Sequence, residues 1–173
     1  SSELKNRKIG KGDLFVFFGR YQKVDHKNAA FSYSNDKEMH AAWGYMEVEE
    51  RYNAQQIRNG EIPEALKKHP HATIDHLKSQ KTNVIFTAKK ELSFMKGVSG
   101  HGTFKWNESQ RLSSEKVSGV ARWEPIQGLK PLGNRIKAEN DLWNSGGRGR
   151  EFIIEITNQS KFDDWFKGVL NNP

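Results

Sequence analysis

The chain has 173 residues, 28% charged and 35% apolar, with a formal net charge of +7 and no cysteine. The missing cysteine excludes disulfides and thiolate metal sites, and no apolar run approaches the ~20 residues of a membrane-spanning helix. Ten Phe, five Trp and four Tyr argue against a disordered chain, and the positive balance favours an anionic partner, nucleic acid or nucleotide. We therefore expect one domain over residues 1–173, in the cytoplasm, with a core of its own.

Lys5, Arg7, Lys8 and Lys11 open the chain with little to bury, and its abrupt start suggests a longer natural protein. Gly12-Asp13 then turns into Leu14-Phe15-Val16-Phe17-Phe18, and Gly19 ends the run. Five apolar residues between two glycines read as a strand buried on both faces. Arg20 and Tyr21 place a cation and a ring where that strand surfaces. Residues 22–38 are polar around Phe31-Ser32-Tyr33 and read as a strand edge or loop.

His40–Glu49 is the second expected strand. Alternation sets Met46 and Val48 on a core face and Trp43 and Tyr45 on the other. Two rings spaced by two residues either form a platform for a stacked base or pack beneath a helix. Asn53–Lys68, broken by Gly60 and Pro63, reads as two short helices. His69-Pro70-His71 follows; an extended backbone sets both imidazoles on one side. Such histidines serve as metal ligands, as donors to a phosphate or base edge, or as half-exposed loop residues. No third ligand is evident beyond Asp75 or His76, so neither a metal nor a cofactor is expected.

Asn83–Ala88 is a third strand by run length, with Leu92–Phe94 as a short continuation. Thr103–Trp106 is strand-like, and Trp106 joins the candidate stacking rings. Residues 127–143 read as loop with a helical turn from Arg135 to Leu142. Gly146-Gly147-Arg148-Gly149-Arg150 is either a phosphate cradle, with Arg148 and Arg150 as bidentate forks, or a solvated turn before the strand Glu151–Ile156, whose Phe152, Ile154 and Ile156 share one face. Ser160 and Asp163 have capping-box spacing, and Phe162, Trp165, Phe166, Val169 and Leu170 then recur at helical intervals.

The ordered set Gly12–Gly19, His40–Val48, His69-Pro70-His71, Asn83–Ala88 and Gly147-Arg148-Gly149-Arg150-Glu151-Phe152 resembles the third family of nucleotide-modification-associated domains, over about Lys11 to Leu170. The resemblance implies a bacterial or phage setting tied to modified nucleotides in DNA, and an N-terminal segment ahead of this chain. A fold-level similarity to PUA-like domains (EVE, ASCH, YTH) rests on the Gly-Asp turn before a strand and on Gly44–Val48. It implies an α+β fold, a mixed and mainly antiparallel PUA-like β-barrel with flanking helices and a C-terminal amphipathic helix.

The expected function is a binding module for a modified nucleotide or base, in DNA before RNA. Rings from Phe18, Tyr21, Trp43, Tyr45 and Trp106 would stack the base; Arg20, His69 and His71 would read its edge; Arg148 and Arg150 would hold phosphate. The alternatives are an enzyme of nucleotide modification with His69, His71 or His101 as acid/base and Glu47 or Glu151 as partner, and a scaffold domain of a phage or defence system.

Overall fold

The opening turn forms as its residues require. Gly12 has φ +87°, and Asp13 closes the turn by accepting a hydrogen bond from the Gly10 amide at 2.8 Å. The computed structural model describes residues 9–27, 29–133, 136–139, 141–145 and 152–170. It is an α+β fold of mostly antiparallel strands with short helices and a longer C-terminal helix.

In chain order the elements are β1 (Leu14–Tyr21), β2 (Val24–Lys27), β3 (Ala30–Tyr33), β4 (Met39–Asn53), α1 (Ala54–Asn59) and a 3-10 turn at Glu64–Leu66. Then come α2 (Pro70–Thr73), α3 (Asp75–Lys78), β5 (Val84–Ala88), β6 (His101–Thr103) and a 3-10 turn at Glu108–Gln110. The chain ends with β7 (Arg122–Trp123), β8 (Leu129–Leu132), β9 (Lys137–Glu139), β10 (Leu142–Asn144), β11 (Ile153–Ile156) and α4 (Gln159–Leu170). One sheet runs β1-β4-β5 with β6 also on β4; the others are β7-β10-β9, β8-β11 and the hairpin β2-β3. Among the described residues these strands close no barrel, and no helix is long and apolar enough to cross a membrane.

The chain divides into two compact units. The first holds the described residues up to Phe15 with Tyr45–Gly102; the second holds Val16–Gly44 with those from Thr103 onward. In the first unit, Ile57, Ile62 and Ile85 form a core against Tyr52, Leu66 and Ala72. Helix α1 is fixed at its start by a capping box: Asn53 Oδ1 accepts from the Gln55 and Gln56 amides, and Gln56 Oε1 accepts from the Asn53 amide. Gly60, at φ +74°, ends it in the left-handed conformation. The two short helical pieces expected between Asn53 and Lys68 are therefore α1 and the Glu64–Leu66 turn.

Also in this unit, Glu47 of β4 is wholly buried. Its carboxylate meets Lys89 Nζ at 2.7 Å and accepts from the Ser93 amide at 2.7 Å and the Ser93 hydroxyl at 2.6 Å. Burial pushes the carboxyl pKa up, but the bonds from Lys89 and Ser93 together hold it below the usual glutamate value. Gly100 lies against this strand pair: a Cβ there would stand 2.2 Å from the Lys89 carbonyl oxygen.

In the second unit, Leu112, Trp123, Ile136 and Trp143 form a core, with Phe18, Ile126, Leu129, Phe152 and Ile154 packed on it. Helix α4 buries Phe162, Phe166 and Val169, as its apolar stripe predicts. Its cap differs from the expectation. Asn158 Oδ1, not the Ser160 hydroxyl, accepts from the Lys161 amide at 3.1 Å, one turn into a helix that begins at Gln159.

Three more readings are corrected. β1 is half-buried from Leu14 to Gly19 instead of enclosed, because it is the outer strand on the β1-β4-β5 path. β4 does not alternate: Ala41, Ala42, Gly44, Tyr45, Glu47 and Val48 are all buried, residues of both faces, with Trp43 exposed among them. The loop expected after Gln127 carries β8, β9 and β10; the helical turn would start at Arg135, outside the described residues, but Lys137–Glu139 and Leu142–Asn144 pair as strands. Leu92–Phe94 is not a strand, and β6 stops at Thr103.

Candidate functional site

The second unit carries a groove of about 1240 Å³. Met39, Ala41 and Trp43 of β4 line it, spaced by two so that all three share one face. Arg20 and Tyr21 reach it from the end of β1. The Phe104 amide donates to the Trp43 carbonyl at 2.9 Å, so the segment carrying Phe104 and Trp106 runs beside β4 and adds two rings to the wall. An isolated bridge between Ala41 and Arg111 brings in Gln110 and Arg111, and Ser113–Val120 closes the far side.

The rings are accessible. Tyr21, Trp43 and Trp106 keep 41%, 42% and 48% of their surface exposed, far more than a core aromatic would. Trp43 is nevertheless braced: its indole stacks on Phe17 at 5.2 Å and 23°, which limits its rotamers before any ligand arrives. Tyr21 folds back over Gly19, where a Cβ would come within 3.1 Å of the phenol ring.

The groove's charges largely cancel. Asp36, Glu38, Glu108 and Glu115 face Arg20, Lys23, Lys37 and Arg111. Arg20 pairs with Glu38, Lys23 with Asp36 at 3.3 Å, and Arg111 with Glu108 at 2.8 Å and Glu115 at 3.6 Å. The Asp36 carboxyl is held below its usual pKa by hydrogen bonding to Ser34 and then by Lys23. His40, next to the lining residues on β4, accepts the Trp123 indole N–H on Nδ1 at 3.0 Å. Burial, and then the nearby Arg20 charge, lower its pKa and keep the ring neutral.

Of the residues singled out by sequence, Arg20, Tyr21, Trp43 and Trp106 line this one groove. Phe18 lies in the core of the same unit, against His40, Trp123 and Phe152 at 5.5, 5.0 and 5.4 Å. Tyr45 belongs to the first unit; it is 5% exposed, and its hydroxyl donates to the Ser99 carbonyl at 3.1 Å.

His69 and His71 are also in the first unit; His69 is extended, but His71 lies within the helix α2, so the two do not alternate along one extended strand as expected. Pro70 takes the first position of α2, and His69 caps it by accepting from the His71 amide on Nδ1 at 3.1 Å. His71 Nδ1 lies 2.6 Å from Asn83 Oδ1 and donates to it, while the Asn83 amide donates to the His71 carbonyl at 2.9 Å. Burial, and then His71, lower the His69 pKa. Arg148 and Arg150 lie outside the described residues. Among the described residues, no three His, Asp or Glu side chains gather as a metal site.

Sequence reasoning missed Phe104, Gln110 and Arg111. Phe104 carried a signal, since strand-like spacing puts it on the same face as Trp106. Gln110 and Arg111 carried none: they reach the groove through the β-bridge between Ala41 and Arg111, across a long stretch of chain.

The second unit thus defines an α+β protein that presents several solvent-facing rings in a charge-compensated groove. The sequence model of the family described as nucleotide modification associated domain 3 matches residues 1–161, and the chain belongs to that family. Membership ties it to nucleotide modification systems. No curated protein and no solved structure matches the chain.

Proposed function

We propose that the chain is a binding module that captures a modified base or nucleotide in the aromatic groove of the second unit. The observation that carries this reading is the meeting of Tyr21, Trp43 and Trp106 in one groove, each with more than two-fifths of its surface exposed. Exposed rings on a braced scaffold suit a flat ligand, because every nucleobase offers a π-face. The cancelled charges favour the neutral base over the phosphate as the groove's occupant. In DNA or RNA the base would be turned out of its stack before entering.

We read DNA ahead of RNA, a cytoplasmic setting and a single domain spanning both units, all from the family resemblance and the composition. The PUA-like comparison rests on the Gly12-Asp13 turn before β1 and on Gly44–Val48, and the groove reading does not require a closed barrel. An enzyme using His69 and His71 has less support, because both imidazoles already have intramolecular partners.

The test is fluorescence anisotropy with short labelled oligonucleotides that carry one modified base or none. Stacking on one ring is worth ~1–3 kcal/mol, so Trp43→Ala and Trp106→Ala should each weaken binding by about 5- to 150-fold. Wild-type affinity in both variants would sink the groove as the binding site. Equal affinity for modified and unmodified oligonucleotides would sink the recognition of modification.

A further inference from the structure

The first unit carries a second concavity, of about 240 Å³, which the groove reading does not use. It is built on the β4·β5 ladder. In the register of that pair Arg51 faces Phe86 and Asn53 faces Val84, and the strand period of two sets all four on one face. Helix α1 adds Gln55 and Arg58 along one side, and Lys81 and Thr82 before β5 close the other.

Its composition is one-sided. Arg51, Arg58 and Lys81 line it, and no carboxylate does. None of the three forms an ion pair among the described residues, although ion pairs are frequent elsewhere in the chain. Arg58 spends one guanidinium N–H on Gln55 Oε1 at 3.0 Å. The Nε–H of Arg51 is buried and has no hydrogen-bond partner, the only such buried side-chain polar atom among the described residues. Buried donors are normally satisfied, and an isolated exception points to a missing acceptor. The cap does not supply one, since Asn53 Oδ1 is already shared between the Gln55 and Gln56 amides.

Three cations of fixed sign and a hydroxyl, with no carboxylate among them, around a cavity larger than one phosphate describe an acceptor-seeking anion site. We propose that this pocket binds a phosphate group of a nucleotide or nucleic acid. Arg51 supplies the planar fork from the floor, and Arg58 and Lys81 neutralise the charge from the rim. The two sources share one chemistry, a tetrahedral oxyanion with several acceptors. A terminal phosphate monoester brings up to two charges, and a backbone phosphodiester brings one.

The experiment is calorimetric titration of the full chain with inorganic phosphate, with a nucleoside 5′-monophosphate and with the corresponding nucleoside. It is repeated on the double variant Arg58→Met/Lys81→Met, whose altered side chains are exposed, and on Arg51→Lys, which keeps the charge but loses the fork. Wild type should bind phosphate, and the monophosphate should bind tighter than the nucleoside. The double variant should weaken both anions by at least about tenfold, and Arg51→Lys by several-fold. Competition by an oligonucleotide with hydroxyl ends assigns the site to backbone phosphate; failure of that competitor beside a bound monophosphate assigns it to a terminal one. Trp43→Ala should leave phosphate binding unchanged, which separates this site from the groove. Equal anion affinity in wild type and the double variant overturns the proposal.

Discussion

Replacing Lys89 by methionine removes the cation that faces a carboxylate with almost no access to water. The Glu47 side chain is 1% exposed and that of Lys89 19%, so the pair sits at the buried end of the range for salt bridges. Breaking such a pair by removing one partner costs about 3–5 kcal/mol. Ser93 still supplies two hydrogen bonds to the carboxylate and water can reach the vacated side, so about 3 kcal/mol is expected for Lys89→Met. Glu47→Gln keeps the shape and an acceptor for the Ser93 amide, and should cost about 2 kcal/mol. The double variant should cost less than the sum, because the charge that each single variant leaves unpaired is then gone.

The acid limb gives an independent reading of the same pair. A carboxyl whose folded pKa lies below its unfolded value stabilises the fold above the unfolded pKa, near 4.3, and that stability is lost as the pH falls through the folded pKa. Wild-type stability should therefore drop below about pH 4, with Glu47 contributing a slope of up to ~1.4 kcal/mol per pH unit. Glu47→Gln should flatten that part of the limb. Urea unfolding followed by circular dichroism from pH 2.5 to 7 measures both quantities. A Lys89→Met variant within about 0.5 kcal/mol of wild type, with an unchanged acid limb, would refute the reasoning.

Other substitutions probe the scaffold. Gly100→Ala drives a Cβ into the Lys89 carbonyl, which is backbone and cannot swing aside; a loss of about 2–3 kcal/mol is expected in the same unfolding assay. Asn158→Ala removes the α4 cap and should cost about 1 kcal/mol, whereas Ser160→Ala should cost much less; calorimetric melting distinguishes them. His40 and His69 both have folded pKa values below the usual histidine value, so their contribution is present above about pH 6.5 and fades as the pH falls through that region. His40→Gln, which retains an acceptor for the Trp123 indole, should reduce the loss of stability between pH 7 and 5; an unchanged slope would show that His40 is not the group responsible.

The elements that announced themselves in the sequence are those with long or well-punctuated patterns. β5 has its apolar run, α1 its Gly60 stop, and α4 its aromatic stripe. β7, β9 and β10 are two or three residues long, too short to show a period, and their pairing is decided by Trp123 and Trp143 entering a common core. β4 misled through its alternation because residues of both faces are buried between Ala41 and Val48, with Trp43 exposed among them. Trp43 could be flagged by its type, but not its exposure, since that depends on where Phe17 and Phe104 arrive. His69 and His71 were misplaced for a legible reason: proline at the first position of a helix, after a residue able to cap it, is a start signal that an extended reading overlooks. The convergence of Arg20, Tyr21, Trp43 and Trp106 depends on pairings between distant segments, which no local pattern encodes.

The cancelled charges of the groove have a thermodynamic signature. A ligand that enters between ion pairs already formed displaces few condensed counterions, so capture of a free nucleoside should respond little to ionic strength. An oligonucleotide differs: for single strands each phosphate engaged adds about 0.7 to the magnitude of the slope of log affinity against log salt. The slope for an oligonucleotide minus that for its nucleoside therefore counts the phosphates held by cations outside the groove. A plain salt titration would thus apportion the chain's +7 charge between recognition of a base and retention of the strand that carries it.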